Sequence, residues 1–273
     1  MFHSGGQACS LDITVKEPLD FSGKVVVVTG GTAGIGRGIA ERFLEAGADV
    51  LVCGRRAPDQ PPASGDRAAA FFAADVREPD QAAAVVAAAV ERFGRLDVLV
   101  NNAGGSPPAD AATASPRFSR AIITLNLVAP LDLAQAANRV MQGQPDGGSI
   151  INIASVSALR PSPGTAAYGA AKAGLLSLTE TLAVEWAPKV RVNAVTAGPI
   201  ATERAELHYG DAEALRAIAA TIPLGRMGEP RDVADACLFL ASPLARWVSG
   251  ARLVVHGAGE RPAFLAAAKP GER

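Results

Sequence analysis

The chain has 273 residues, 49% hydrophobic and 19% charged, with a formal net charge of −1. This is enough apolar material for a large core, and it excludes a disordered chain, a basic nucleic-acid or membrane-surface binder and, since no apolar run reaches ~18 residues, a spanning helix. The opening MFHSGGQACS lacks the basic start and apolar centre of a secretory signal, and Cys9, Cys53 and Cys237 fit neither a disulfide framework nor a zinc site, so a soluble cytoplasmic protein is expected.

Residues 1–22 read as an irregular extension. The core opens with KVVVVT at 24–29, a β-branched run without alternation, as expected of a parallel strand buried on both faces. GGTAGIG follows at 30–36, then a helix to about residue 46, stopped by Gly47, and a second strand at 49–53. Strand, glycine loop, helix and strand make the opening unit of a dinucleotide-binding sheet. The glycines let the backbone turn sharply and approach a pyrophosphate, and the helix N-terminus offers it N–H groups and a favourable dipole. The spacing through Thr29, Gly30, Gly34 and Gly36 is TGxxxGxG, not GxGxxG.

Arg55 and Arg56 follow the second strand, where an acidic residue would meet a ribose 2′-hydroxyl, and no carboxylate comes before Asp59. Arginine there suits a 2′-phosphate, so NADP(H) is favoured, with NAD(H) as the alternative. Pro58, Pro61 and Pro62 argue against a helix and predict a short loop as the second crossover. A third strand ends at Asp75, which either meets the adenine or begins the next turn. A helix spans 79–93, stopped by Gly94, and a fourth strand at 96–104 runs into an Asn-Asn-Ala-Gly turn.

A long helix is predicted over 116–141, kinked near Pro130. Asn126 lies in its apolar stretch, either as a hydrogen-bonded core amide or as a group that holds a water or distorts the helix. The fifth strand, SIINIA, delivers Ser155 to its C-terminal end, where ligand sites of such sheets lie. The next helix, 168–186, opens with Tyr168 and Lys172, one turn apart on one face. A free phenol titrates near ~10. A neighbouring cation lowers that value, so the pair can serve as acid or base while Ser155 holds a substrate oxygen. For the four-residue spacing alone, a surface pair or a packing tyrosine is the bland alternative.

The sixth strand covers 190–195. Residues 203–228 are partly helical and read as a lid. Ile200, Leu207, Ile218, Ile222 and Leu224 in this region suggest an apolar substrate, while His208 and Tyr209 add polar groups. A helix at 230–240 and a seventh strand at 251–256 precede a tail at 259–273.

Together these motifs resemble the short-chain dehydrogenase/reductase family over residues 22–258. The resemblance implies an α/β fold: a single doubly wound Rossmann-type domain at 23–258, with a seven-stranded parallel sheet and helices on both faces. It implies an NAD(P)-dependent oxidoreductase that moves a hydride between nicotinamide C4 and a carbonyl or secondary alcohol of a small-molecule substrate. Ketoacyl thioesters, steroid-like rings and other hydrophobic ketones are the substrates considered. Asn126, Ser155, Tyr168 and Lys172 map onto the family's catalytic tetrad. Cofactor contacts are implied for Gly30, Thr32, Gly34, Ile35, Gly36, Arg55, Arg56, Asp75 and Val76, and for Asn102, Ala103, Gly104, Gly198, Ile200 and Thr202, besides Tyr168 and Lys172. Asn193 corresponds to a structural asparagine, and a homodimer or homotetramer is implied. The chain departs from the family at Ala197-Gly198-Pro199, where Pro-Gly is usual, and at Ala33, where NADP-dependent members often carry a basic residue. A catalytically idle nucleotide sensor or scaffold on the same fold is the competing reading, against which the complete tetrad argues.

Overall fold

The computed structural model describes residues 17–262. The expected extension before residue 17, with Cys9, and the tail beyond residue 262 lie outside the described residues. In chain order, β1 (Val25–Thr29) leads through the glycine loop to α1 (Gly34–Glu45) and β2 (Asp49–Gly54). A small antiparallel hairpin, β3 (Ala63–Ser64) and β4 (Arg67–Ala68), comes before β5 (Ala70–Ala73). Then follow α2 (Pro79–Phe93), β6 (Val98–Asn101), α3 (Pro116–Ile123), α4 (Ala129–Gly143) and β7 (Gly148–Ser155). The chain continues through α5 (Ala166–Glu185), β8 (Val190–Ala197), α6 (Ala205–Tyr209), α7 (Ala212–Thr221), α8 (Pro230–Ala241) and β9 (Arg252–Val255).

The main sheet has seven parallel strands in the order β5-β2-β1-β6-β7-β8-β9. Its core has two faces because successive strand side chains point to opposite sides. Val26, Val28, Val50 and Val52 pack toward Ile39 and Phe43 of α1 and Val233 and Leu238 of α8. Val25, Val27, Leu51 and Leu99 pack toward Val85 of α2, Leu133 of α4 and Leu182 of α5. Both registers of each strand must therefore be apolar, which explains the unbroken β-branched runs. The chain leaves β1 toward β2 and β5, then returns to β6 on the other side of β1. That reversal puts the topological switch point at the C-terminal ends of β1 and β6, the place where sheets of this kind bind ligands.

Two elements differ from expectation. The crossover from β2 to β5 holds no helix, in keeping with its prolines, but it is a loop carrying the β3–β4 hairpin and not a short loop alone. The predicted long helix forms as α3 and α4 joined by a π-helical turn, Thr124–Val128. Pro130 lacks the N–H that would close on the Asn126 carbonyl in an α-helix, so the ladder changes register just before it. Among the described residues, no helix is long and apolar enough to cross a membrane.

Candidate active site

The glycine loop between β1 and α1 is clamped by the turn after β6. Thr29 Oγ1 accepts from the Asn102 and Ala103 N–H groups at 3.0 and 2.9 Å, and Asn102 Nδ2 donates to the Thr29 carbonyl at 2.9 Å. Gly36 has to lack a side chain, because a Cβ there would lie 2.4 Å from both Asn102 Nδ2 and the Gly30 carbonyl oxygen. Gly30 and Gly34 both adopt positive φ, 63° and 53°, a region that other residues rarely enter. Thr32 and Ile35 are partly buried in this loop. A carboxylate already sits at the α1 N-terminus: Glu203 Oε1 accepts from the Gly34 N–H at 2.9 Å. The loop thus fits an anionic group such as a pyrophosphate, and Glu203 is a residue that the sequence reading missed.

At the end of β2, Arg55 and Arg56 are exposed. Arg37 holds the loop that follows them, donating to the Gln60 carbonyl at 3.1 Å while its Nε pairs with Glu41 at 2.8 Å. Asp75 is bound to Arg77, whose Nε donates at 2.9 Å, and this partner holds its carboxyl below the usual carboxylate range. The charge of Arg55 acts in the same direction. Val76 is buried beside it.

Ser155 ends β7, and Tyr168 and Lys172 lie in the first two turns of α5. Lys172 is 3% exposed; its Nζ donates to the Ile153 carbonyl at 2.7 Å and lies 5.7 Å from the Tyr168 ring centroid. Burial lowers its pKa to about 8. Burial also raises that of the Tyr168 phenol, while a hydrogen bond with the Ser155 side chain opposes the rise and the nearby Tyr209 adds to it. The expected lowering of the phenol by Lys172 is therefore not what this geometry produces. The ammonium is aimed at a carbonyl, and Ser155 is the partner that favours the phenolate.

Asn126 is fully buried in the π turn. Its Oδ1 accepts from the Gly105 N–H at 2.9 Å, and its Nδ2 donates to the Gly105 and Ile122 carbonyls at 3.0 and 2.9 Å. The side chain is thus a core amide that also ties the loop after β6 to the helix. Gly104 lies between it and Lys172: a Cβ at Gly104 would be 2.7 Å from Asn126 Oδ1 and 3.3 Å from Lys172 Nζ.

Beyond β8, Gly198 passes so close to His256 that a Cβ would meet its side chain at 2.7 Å. Asn193 is a staple between β8 and the loop before β9, donating to the Val248 carbonyl and accepting from the Ala251 N–H. Thr202 packs against Gly34. Ile200 and Ile222 are buried, at 6% and 3% exposure, and Ile200 pairs with Gly228. Neither lines an open lid, whereas Leu224 is exposed. The side chains of Leu207 and His208 lie outside the described residues. Arg160, in the loop between Ser155 and α5, forms an ion pair with Glu260, and both act electrostatically on Tyr209 of α6.

A family model described as enoyl-(acyl carrier protein) reductase matches residues 30–258. The chain is 39% identical over 245 residues to an L-rhamnose 1-dehydrogenase (NAD(P)(+)) of Azotobacter vinelandii, covering 86% of this chain and 95% of that protein. It is 37% identical to a 3alpha-hydroxysteroid dehydrogenase of Mediterraneibacter gnavus, covering 86% and 96%. The solved structure of Thermoplasma acidophilum aldohexose dehydrogenase superposes with a TM-score of 0.80 at 32% identity, covering 93% of this chain and 98% of that one. With its seven-stranded parallel sheet and the motifs in their order along it, this chain belongs to the short-chain dehydrogenase/reductase family of oxidoreductases, which act on alcohol and carbonyl groups.

Proposed function

We propose that the chain catalyses reversible hydride transfer between NADP(H) and a carbonyl or secondary alcohol, with Tyr168 as the general acid and base. The observation that carries this reading is the meeting of Ser155, Tyr168 and Lys172 at the C-terminal end of β7. When bound, the nicotinamide supplies or accepts the hydride. In the reducing direction Tyr168 Oη donates its proton to the substrate oxygen as negative charge develops there. Ser155 Oγ holds that oxygen and favours the phenolate left behind. Lys172, aimed at the Ile153 carbonyl, orients the start of α5, with its Nζ 5.7 Å from the phenol ring centroid. Asn126 fixes the Gly104–Gly105 backbone against which Lys172 is packed.

Exposed Arg55 and Arg56 support the preference for the phosphorylated cofactor. The case for an apolar substrate is weaker than the sequence suggested, because Ile200 and Ile222 are core residues. Tyr209, Arg160 and Glu260 give the mouth of the site a polar rim, which favours a hydroxyl-bearing substrate of the kind named for the rhamnose and aldohexose relatives. A homodimer or homotetramer belongs to the same reading. It is supported by Trp247, 98% exposed, and by the exposed Phe239 and Val254 beside the β9 edge.

The test is turnover on a panel of sugars, polyols, steroids and ketones with NADPH, NADH and their oxidised forms, for wild type and Tyr168→Phe. Loss of turnover by roughly 10²–10⁴ with cofactor binding retained is expected. Near-normal turnover in the variant refutes the role of Tyr168, and tight cofactor binding with no turnover on any substrate favours the nucleotide-sensing alternative.

A further inference from the structure

Glu203 stands directly after Thr202, at the entry to the α6–α7 segment. Its hydrogen bond to the Gly34 N–H spans 169 residues of sequence. Gly34 is the first residue of α1, whose N-cap, Ala33, contributes no side-chain acceptor and whose first turn contains no acidic residue. The anion that a helix N-terminus favours is therefore supplied from outside, by the segment that leads into α6. Thr202 braces the contact: a Cβ on Gly34 would lie 3.5 Å from its Cγ2.

We propose that Glu203 is an intramolecular competitor for the pyrophosphate of the cofactor, and that cofactor binding displaces it and so frees the α6–α7 segment from the glycine loop. The inference rests on the dinucleotide reading given above. A pyrophosphate and a carboxylate at one N–H donor repel each other, so the two occupants exclude one another. Glu203 is exposed, and its carboxylate returns to water without leaving a buried charge unpaired. Cofactor affinity is then lower than the glycine loop alone would allow. In exchange, the position of the segment over the substrate side depends on whether the cofactor is present.

The experiment is a fluorescence titration of the full chain with NADPH, for wild type, Glu203→Gln and Glu203→Ala. Removing the competitor should lower the Kd by roughly three- to tenfold in Glu203→Ala, with Glu203→Gln between it and wild type, because the amide keeps the acceptor but not the charge. Loss of a merely structural contact would not tighten binding. An equal or higher Kd in Glu203→Ala overturns the proposal while leaving the dinucleotide reading in place. Absence of NADPH and NADH binding in wild type and both variants overturns the two together.

Discussion

Lys172 Nζ lies 5.7 Å from the centroid of the Tyr168 ring yet gives its hydrogen bond to the Ile153 carbonyl, at 2.7 Å. The ammonium is buried, and burial has opposite effects on the two groups: it makes the lysine easier to deprotonate and the phenol harder.

The buried ammonium makes stability depend on pH. The pKa of Lys172 falls from 10.5 to about 8 on folding, so between these values the unfolded chain binds the extra proton and stability rises with pH. Below that window the folded state carries a cost on the order of 3 kcal/mol. Denaturant titrations of wild type and Lys172→Met should show the difference in unfolding free energy moving in favour of wild type by about that amount between pH ~7 and ~10.5. A difference that does not change with pH would mean that the ammonium is solvated.

Ser155 is the group that offsets the burial of the phenol. Ser155→Ala should therefore move the apparent pKa in the pH profile of alcohol oxidation to a more alkaline value, in addition to lowering the rate. A lower rate with an unshifted profile would limit Ser155 to holding the substrate.

Gly104 has to lack a side chain because two functional groups converge on it. Its φ is not positive, so the effect of Gly104→Ala comes from contact alone. The added methyl should displace Asn126 Oδ1 or Lys172 Nζ at a cost of roughly 1–3 kcal/mol, with turnover reduced at least about tenfold. Steady-state kinetics beside a melting curve separate the two effects, and wild-type behaviour in both would show that the loop yields freely.

Arg55 is exposed at the end of β2, and its charge stabilises the Asp75 carboxylate. Arg55→Ala should weaken NADPH binding by about ten- to a hundredfold, the range of one or two charge-assisted hydrogen bonds, and leave NADH nearly unchanged. Equal loss for both cofactors would assign Arg55 to the shape of the loop and not to the 2′-phosphate.

Legibility in the sequence followed the range of the interactions concerned. The strand at 24–29 and the helix at 79–93 were readable because their signals are local: β-branched runs, a proline at the first helical position, a glycine just past the end. The π turn at Thr124–Val128 was visible only as a kink expected near Pro130 and a choice of meanings for Asn126, since a buried amide between apolar residues suits a plain helix as well. Ile200 and Ile222 looked like lid residues by position and turned out to be core, because burial depends on what the folded chain places over them.

By itself the sequence determined the two-faced sheet, the glycine loop and the spacing of Tyr168 and Lys172, each of which depends on residues a few positions apart. The direction of Lys172 Nζ, the closeness of Gly104 to it and the grip of Glu203 on Gly34 were decided by tertiary structure. Each joins segments far apart in the chain, and their meeting is set by how α5, the loop after β6 and the α6–α7 entry pack on one end of the sheet.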